Sequence, residues 1–197
     1  MQKVPLMLIG LACTLQSFSQ TTITQLSPIA VRTHWVNPVK IEGNSELFFF
    51  EGFAGQKTGC FKVHPGGIIR TECDKFTFEF AENLNGNPNT PLYFIKRTDG
   101  KYLSLQLGGA DFVDKMADQA IMFQKFLVCK VQSQYNPNFR NAYNFLLPLP
   151  NITYGYTLKM FNNYKEMGFS TNAKIRAIES EFYLGQTPVN VKQPDKN

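Results

Sequence analysis

Leu92-Tyr93-Phe94-Ile95-Lys96-Arg97-Thr98-Asp99-Gly100-Lys101-Tyr102-Leu103-Ser104-Leu105 reads as two short strands joined by a tight, charged turn. Aromatic and β-branched side chains suit a pleated, half-buried surface. Asp99-Gly100 supplies the turn, because glycine tolerates backbone angles that other residues resist. The stretch therefore predicts antiparallel β structure, and the rest of the chain repeats its grammar.

Leu47-Phe48-Phe49-Phe50, Phe76-Thr77-Phe78-Glu79-Phe80, Leu127-Val128-Cys129-Lys130-Val131 and Tyr156-Thr157-Leu158-Lys159-Met160 are strand-like in length and residue type. Gly, Asn, Pro and Asp punctuate the gaps between them. Helical periodicity is scarce; its best candidate, Met116 to Phe126, ends in a pattern that fits a strand equally well. Three segments share one plan of strand, Gly or Asn turn, polar residues and a Phe-centred strand. They run from Cys60 to Phe78, from Tyr102 to Phe126 and from Tyr156 to Tyr183. A unit of this kind cannot bury its apolar face alone, whereas three packed around an axis close a barrel. Phe78, Phe123 and Phe182 are then expected to be equivalent core positions. Chance likeness among Phe-rich strands is the competing explanation, since the chain holds 18 phenylalanines.

The threefold plan resembles the β-trefoil, and within it the secreted ligands of the fibroblast growth factor and interleukin-1 type. Leu92 to Leu105 carries the likeness, with its strand, charged turn ending in Gly and following Tyr-Leu, together with Ala120-Ile121-Met122-Phe123 after a small-residue loop. The resemblance covers residues 44–185 and implies an all-β barrel acting as a ligand for a cell-surface receptor. There are departures from the family pattern. Met122 stands where those growth factors usually carry a cysteine. The basic residues Lys159, Lys165, Lys174 and Arg176 of the third unit are diluted by Glu166, Glu179 and Glu181. The Gln-x-Trp signature of ricin-type lectins is absent, Trp35 being the sole tryptophan. Plant protease-inhibitor trefoils typically carry two disulfides, more than the three cysteines after residue 19 can form.

Outside this core, Met1-Gln2-Lys3, an apolar run from Val4 to Leu15 and small residues at Ser17 and Ser19 make an export signal over residues 1–19. The run is shorter than the roughly 20 residues that span a bilayer, so a membrane-embedded protein is not expected. A lipoprotein signal ending at Cys13 is the alternative, although Gly10 stands where a larger aliphatic residue is usual. Residues 20–43 read as an extended arm and 186–197 as a flexible tail. Cys60 and Cys73 flank a hairpin-like stretch and form the candidate disulfide, with no obligatory bridge as the alternative; Cys129 is left over. Asn151-Ile152-Thr153 is a single glycosylation sequon at Asn151.

Chemistry is sparse. His34 and His64 are the only histidines, too few and too dispersed for a zinc site. Asp111, Asp114 and Asp118 do not follow the alternating oxygen pattern of a calcium hand. No Gly-x-Ser-x-Gly nucleophile turn occurs. Neither an enzyme nor a cofactor is expected. The net charge of +5 is mildly basic, without the dense stripe that nucleic acid demands. Lys159, Lys165, Lys174 and Arg176, with Lys96, Arg97 and Lys101, form a candidate face for sulfated glycan. Gln132 to Pro150, with Tyr135, Phe139 and Tyr143, is the candidate partner-recognition loop because it is long and aromatic. The expected function is a secreted binding module, growth-factor- or cytokine-like. A glycan-binding trefoil and an exported bacterial structural or adhesive domain are the alternatives.

Overall fold

The computed structural model describes residues 20–31, 34–43, 46–53, 56–57, 59–65, 67–107, 109–132, 142–148, 156–161, 165–170 and 180–188. The proposed signal, residues 1–19, lies outside them.

The protein is all-β, built on a closed six-strand barrel. An N-terminal section supplies β1 (Thr22–Gln25), β2 (Ile29–Val31) and β3 (His34–Glu42). The first unit comprises β4 (Glu46–Phe53), the short β5 (Gln56–Lys57), the hairpin β6 (Lys62–His64) and β7 (Gly67–Ile69), and β8 (Phe76–Asn83). The second has β9 (Pro91–Arg97), the hairpin β10 (Tyr102–Gln106) and β11 (Gly109–Val113), and β12 (Phe126–Val131). The third has β13 (Ala142–Leu147), the hairpin β14 (Tyr156–Phe161) and β15 (Glu166–Ser170), and β16 (Phe182–Pro188). Antiparallel pairing runs β4–β8–β9–β12–β13–β16 and returns to β4, closing the ring.

Each unit places an aromatic residue of its first strand opposite a phenylalanine of its last. The pairs are Phe48 with Phe76, Tyr93 with Phe126, and Tyr143 with Phe182. All six side chains are buried. The Phe50 ring sits at the middle of the core, against Phe61, Phe76, Phe145 and Phe182. Each hairpin touches the other two. The Ile68 N–H donates to the Lys165 carbonyl at 3.1 Å, tying the first hairpin to the third. Close approach explains Gly109, where a Cβ would lie 3.0 Å from the Met167 carbonyl oxygen.

Equivalence of Phe78, Phe123 and Phe182 is therefore corrected to Phe76, Phe126 and Phe182. Phe123 belongs to a 3₁₀ segment, Asp118–Gln124, that precedes β12. The fully buried Gln124 holds that segment. Its Oε1 accepts from the Met116 N–H at 2.9 Å, and its Nε2 donates to the Asp114 carbonyl at 3.0 Å. A side-chain amide satisfied in this way competes with strand pairing, so β12 begins only at Phe126.

Residues 20–43 are not simply an arm. β3 pairs with β1, β2 and the end of β12, where Cys129 faces Pro38 and Lys130 faces Asn37. Val36 packs with Leu92, Leu127, Cys129 and Leu146 in a second apolar cluster. These are the alternate residues of β9, β12 and β13, on the opposite face from the barrel core. Covering both faces explains why β13 reads Ala-Tyr-Asn-Phe-Leu-Leu, buried throughout, while singly covered β8 begins by alternating buried and half-buried positions. The tail boundary also shifts, because Gln186, Thr187 and Pro188 continue β16 opposite Phe48, Leu47 and Glu46.

Candidate functional site

Period-two alternation carries inward-facing rows along the last strand of each unit to the barrel mouth. The rows are Phe76-x-Phe78-x-Phe80, Phe126-x-Val128-x-Lys130 and Phe182-x-Leu184-x-Gln186. The first two positions of every row are buried, and the third opens toward solvent. Phe80 stands there 59% exposed, Lys130 is half-buried and Gln186 is exposed.

Between Lys130 and Gln186 the mouth forms a cleft of about 170 Å³. Phe48, Leu184 and Ile23 of β1 supply its apolar wall. Thr21, Lys130, Tyr143 and Gln186 supply polar ends. Lys130 and Tyr143 are register partners across β12 and β13, so their side chains leave the same face. Thr21 arrives because the chain before β1 lies against Gly43. That glycine has φ of +85°, and a Cβ there would stand 3.2 Å from the Thr21 Cα. The Thr21 hydroxyl is buried, with no hydrogen-bond partner among the described residues. Burial pushes the Tyr143 phenol above its ordinary pKa, so it remains a protonated donor at neutral pH.

Of the residues proposed for recognition, the structure describes Tyr143, Lys159 and Lys165. Tyr143 is 3% exposed and is the counterpart of Phe48 and Tyr93 in the barrel, not a residue on a projecting loop. Residues 142–147 of the candidate loop are the core strand β13. Tyr135 and Phe139 lie outside the described residues, as do Asn151, Lys174 and Arg176. Lys159 is half-buried on β14 with its ammonium 5.9 Å from the Phe161 ring centre, and Lys165 is exposed on the turn before β15. Two of the other cations are engaged internally. Lys96 pairs with Glu79 at 2.7 Å, and Arg97 bridges Asp74 and Asp99 at 3.1 and 2.6 Å.

Cys60 and Cys73 are joined by a disulfide, their Cα atoms 5.2 Å apart, across the base of the first hairpin. Asp74 follows directly and is almost fully buried. It accepts the Val63 N–H at 2.7 Å as well as the Arg97 guanidinium, which lies over the Phe112 ring. Burial raises the Asp74 pKa against the pull of these donors. The group ties the first hairpin to the β9–β10 turn and is structural in its contacts. Among the described residues, no cluster of His, Cys, Asp or Glu is arranged to hold a metal, and no helix is long and apolar enough to cross a membrane.

No family model, curated protein or solved structure matches this chain. Sequence reasoning passed over Thr21, Lys130 and Gln186. Lys130 did leave a signal, as a charge in the third inward position of an otherwise apolar alternation. Thr21 left none, since its place depends on β1 folding back over the mouth.

Proposed function

We propose that the chain is an exported β-trefoil that works as a binding module, a growth-factor- or cytokine-like ligand for a cell-surface receptor. The supporting observation is the repetition of one strand–hairpin–strand unit three times, with the pairs Phe48–Phe76, Tyr93–Phe126 and Tyr143–Phe182 in corresponding places. A barrel closed this way has no free edge within its ring and holds its outer surface rigid. Rigid presentation favours recognition by surface complementarity. Trp35 and Phe80, 66% and 59% exposed, offer the large apolar contacts that anchor such interfaces. The anion-binding part of this reading keeps Lys159, Lys165, Lys174 and Arg176, with Lys101, and sets aside Lys96 and Arg97, whose charges are spent on carboxylates of the same chain.

Two measurements test the proposal. Chromatography on heparin-agarose with a salt gradient reads the basic surface. Retention above physiological salt supports sulfated-glycan affinity, and passage at low salt removes it. Binding of the labelled protein to intact cells, compared with a Trp35→Ala, Phe80→Ala double variant, reads the receptor surface. Saturable binding lost in the double variant is expected; no saturable binding to any cell type rejects the ligand reading.

A further inference from the structure

We propose that removal of the export signal makes Gln20 the amino terminus and that this residue cyclises to pyroglutamate, a modification site beside the barrel mouth. The inference rests on the export reading above. Ser17 and Ser19 put small residues at the third and first positions before Gln20, the pattern at which a signal is cut. A glutamine in first place carries a carboxamide within reach of its own α-amine. Gln20 is exposed, whereas the next residue, Thr21, is buried.

The fold holds Gln20 by groups that the reaction does not use. Its carbonyl oxygen accepts the Thr22 hydroxyl at 3.4 Å. The same carbonyl lies against Gly43, where a Cβ would stand 3.1 Å from the oxygen. Thr22 then opens β1 opposite Glu42. The reacting groups are the α-nitrogen and the side-chain carboxamide, which take no part in these contacts. Once the Ser19–Gln20 bond is hydrolysed, the α-nitrogen attacks Cδ and a C–N bond forms. The carboxamide nitrogen leaves as ammonia, taking up the proton that the α-nitrogen gives up. No oxidant or reductant is consumed. An α-amine titrates at about 7.7–8.0, so part of it is the neutral nucleophile at physiological pH. Nucleophile and carbonyl belong to one residue, which makes the attack intramolecular. The product is a neutral lactam where a positive charge would otherwise stand. It also denies an aminopeptidase the free amine needed to trim the chain toward Thr21 and Ile23, which line the mouth cleft.

The test is N-terminal analysis of the full chain, expressed with its own signal and collected after export. Intact mass spectrometry is expected to give the mass of residues 20–197 less one ammonia. Stepwise N-terminal degradation should stall at its first cycle. Pyroglutamate aminopeptidase, applied to the denatured protein, should lift the block, and sequencing should then begin at Thr21. Gln20→Ala lacks the carboxamide, so it should lose no ammonia and should sequence from its first cycle. A chain that starts at Gln20 with a free amine overturns the cyclisation and leaves export standing. A start at any other residue, or an uncut chain, overturns both. Ammonia loss or a block that persists in Gln20→Ala also overturns the proposal. If that variant is not exported, the parent's mass and its enzymatic unblocking decide the matter.

Discussion

Phe126 lies directly across from Tyr93 in the β9–β12 pair, and both side chains are buried. The same relationship joins Phe48 to Phe76 and Tyr143 to Phe182, so one cross-strand contact is used three times around the barrel. Closure depends on it, because each pair links the first and last strands of a unit across an intervening hairpin. Phe123, three residues earlier, is only partly buried and lies outside the strand.

Phe126→Ala should therefore cost about 3–5 kcal/mol, the range for truncating a buried aromatic residue. Phe123→Ala should cost clearly less. Urea unfolding of the two variants compares them directly, and equal losses would mean that Phe123 also supports closure.

Tyr93 does more than fill the core. Its phenolic oxygen accepts the Ile41 N–H at 2.8 Å, connecting the N-terminal section to the barrel. Tyr93→Phe keeps the ring and removes the acceptor, leaving a buried N–H without its partner. A loss of about 1–3 kcal/mol is expected. Hydrogen exchange should quicken at Ile41 more than at Val128, in the barrel interior.

Asp99 predicts a pH dependence. Arg97 donates to both of its oxygens, and the Lys101 N–H donates to Oδ1 at 3.1 Å. The Arg97 hydrogen bonds hold its pKa below the ordinary value. With the folded value depressed, the stabilisation is present above the unfolded pKa of about 3.9 and is lost as pH falls through the folded one. Asp99 is well exposed, so solvent screening keeps the effect small. Asp99→Asn should cost less than about 1 kcal/mol at neutral pH, and its Arg97-dependent part should vanish in strong acid. Thermal melts across that range measure the difference.

Cys129 should be chemically silent in the native protein. It is 1% exposed within the outer apolar cluster, and desolvation pushes its thiol pKa far up. The thiolate is the reactive form, so a disulfide-exchange reagent at mildly alkaline pH should label it only after unfolding. Rapid native labelling would show that the cover formed by β2 and β3 opens readily.

Reduction of Cys60–Cys73, 13 residues apart, should lower stability by about 3 kcal/mol through the freedom returned to the unfolded chain. The comparison is urea unfolding with and without reductant, monitored by the near-ultraviolet signal of the aromatic core.

Local features of the chain were sufficient to determine its all-β character, the Asp99-Gly100 turn and the recurrence of strand, turn and strand. Each arises from neighbouring residues: alternation over a few positions, or the backbone freedom of one glycine. What lay beyond the sequence were choices made between distant segments. Phe126 rather than Phe123 closes the second unit because Gln124 finds partners at Asp114 and Met116. Tyr143 joins the core because β13 is inserted between β12 and β16. Residues 20–43 become a cover because the outer faces of β9, β12 and β13 are apolar and need one. The mouth cleft is the clearest case, since Thr21 and Lys130 are more than a hundred residues apart and meet only when β1 folds back over the barrel. Alternation determines which side of a strand a residue takes, whereas pairing with remote strands decides whether that side meets core, cover or solvent.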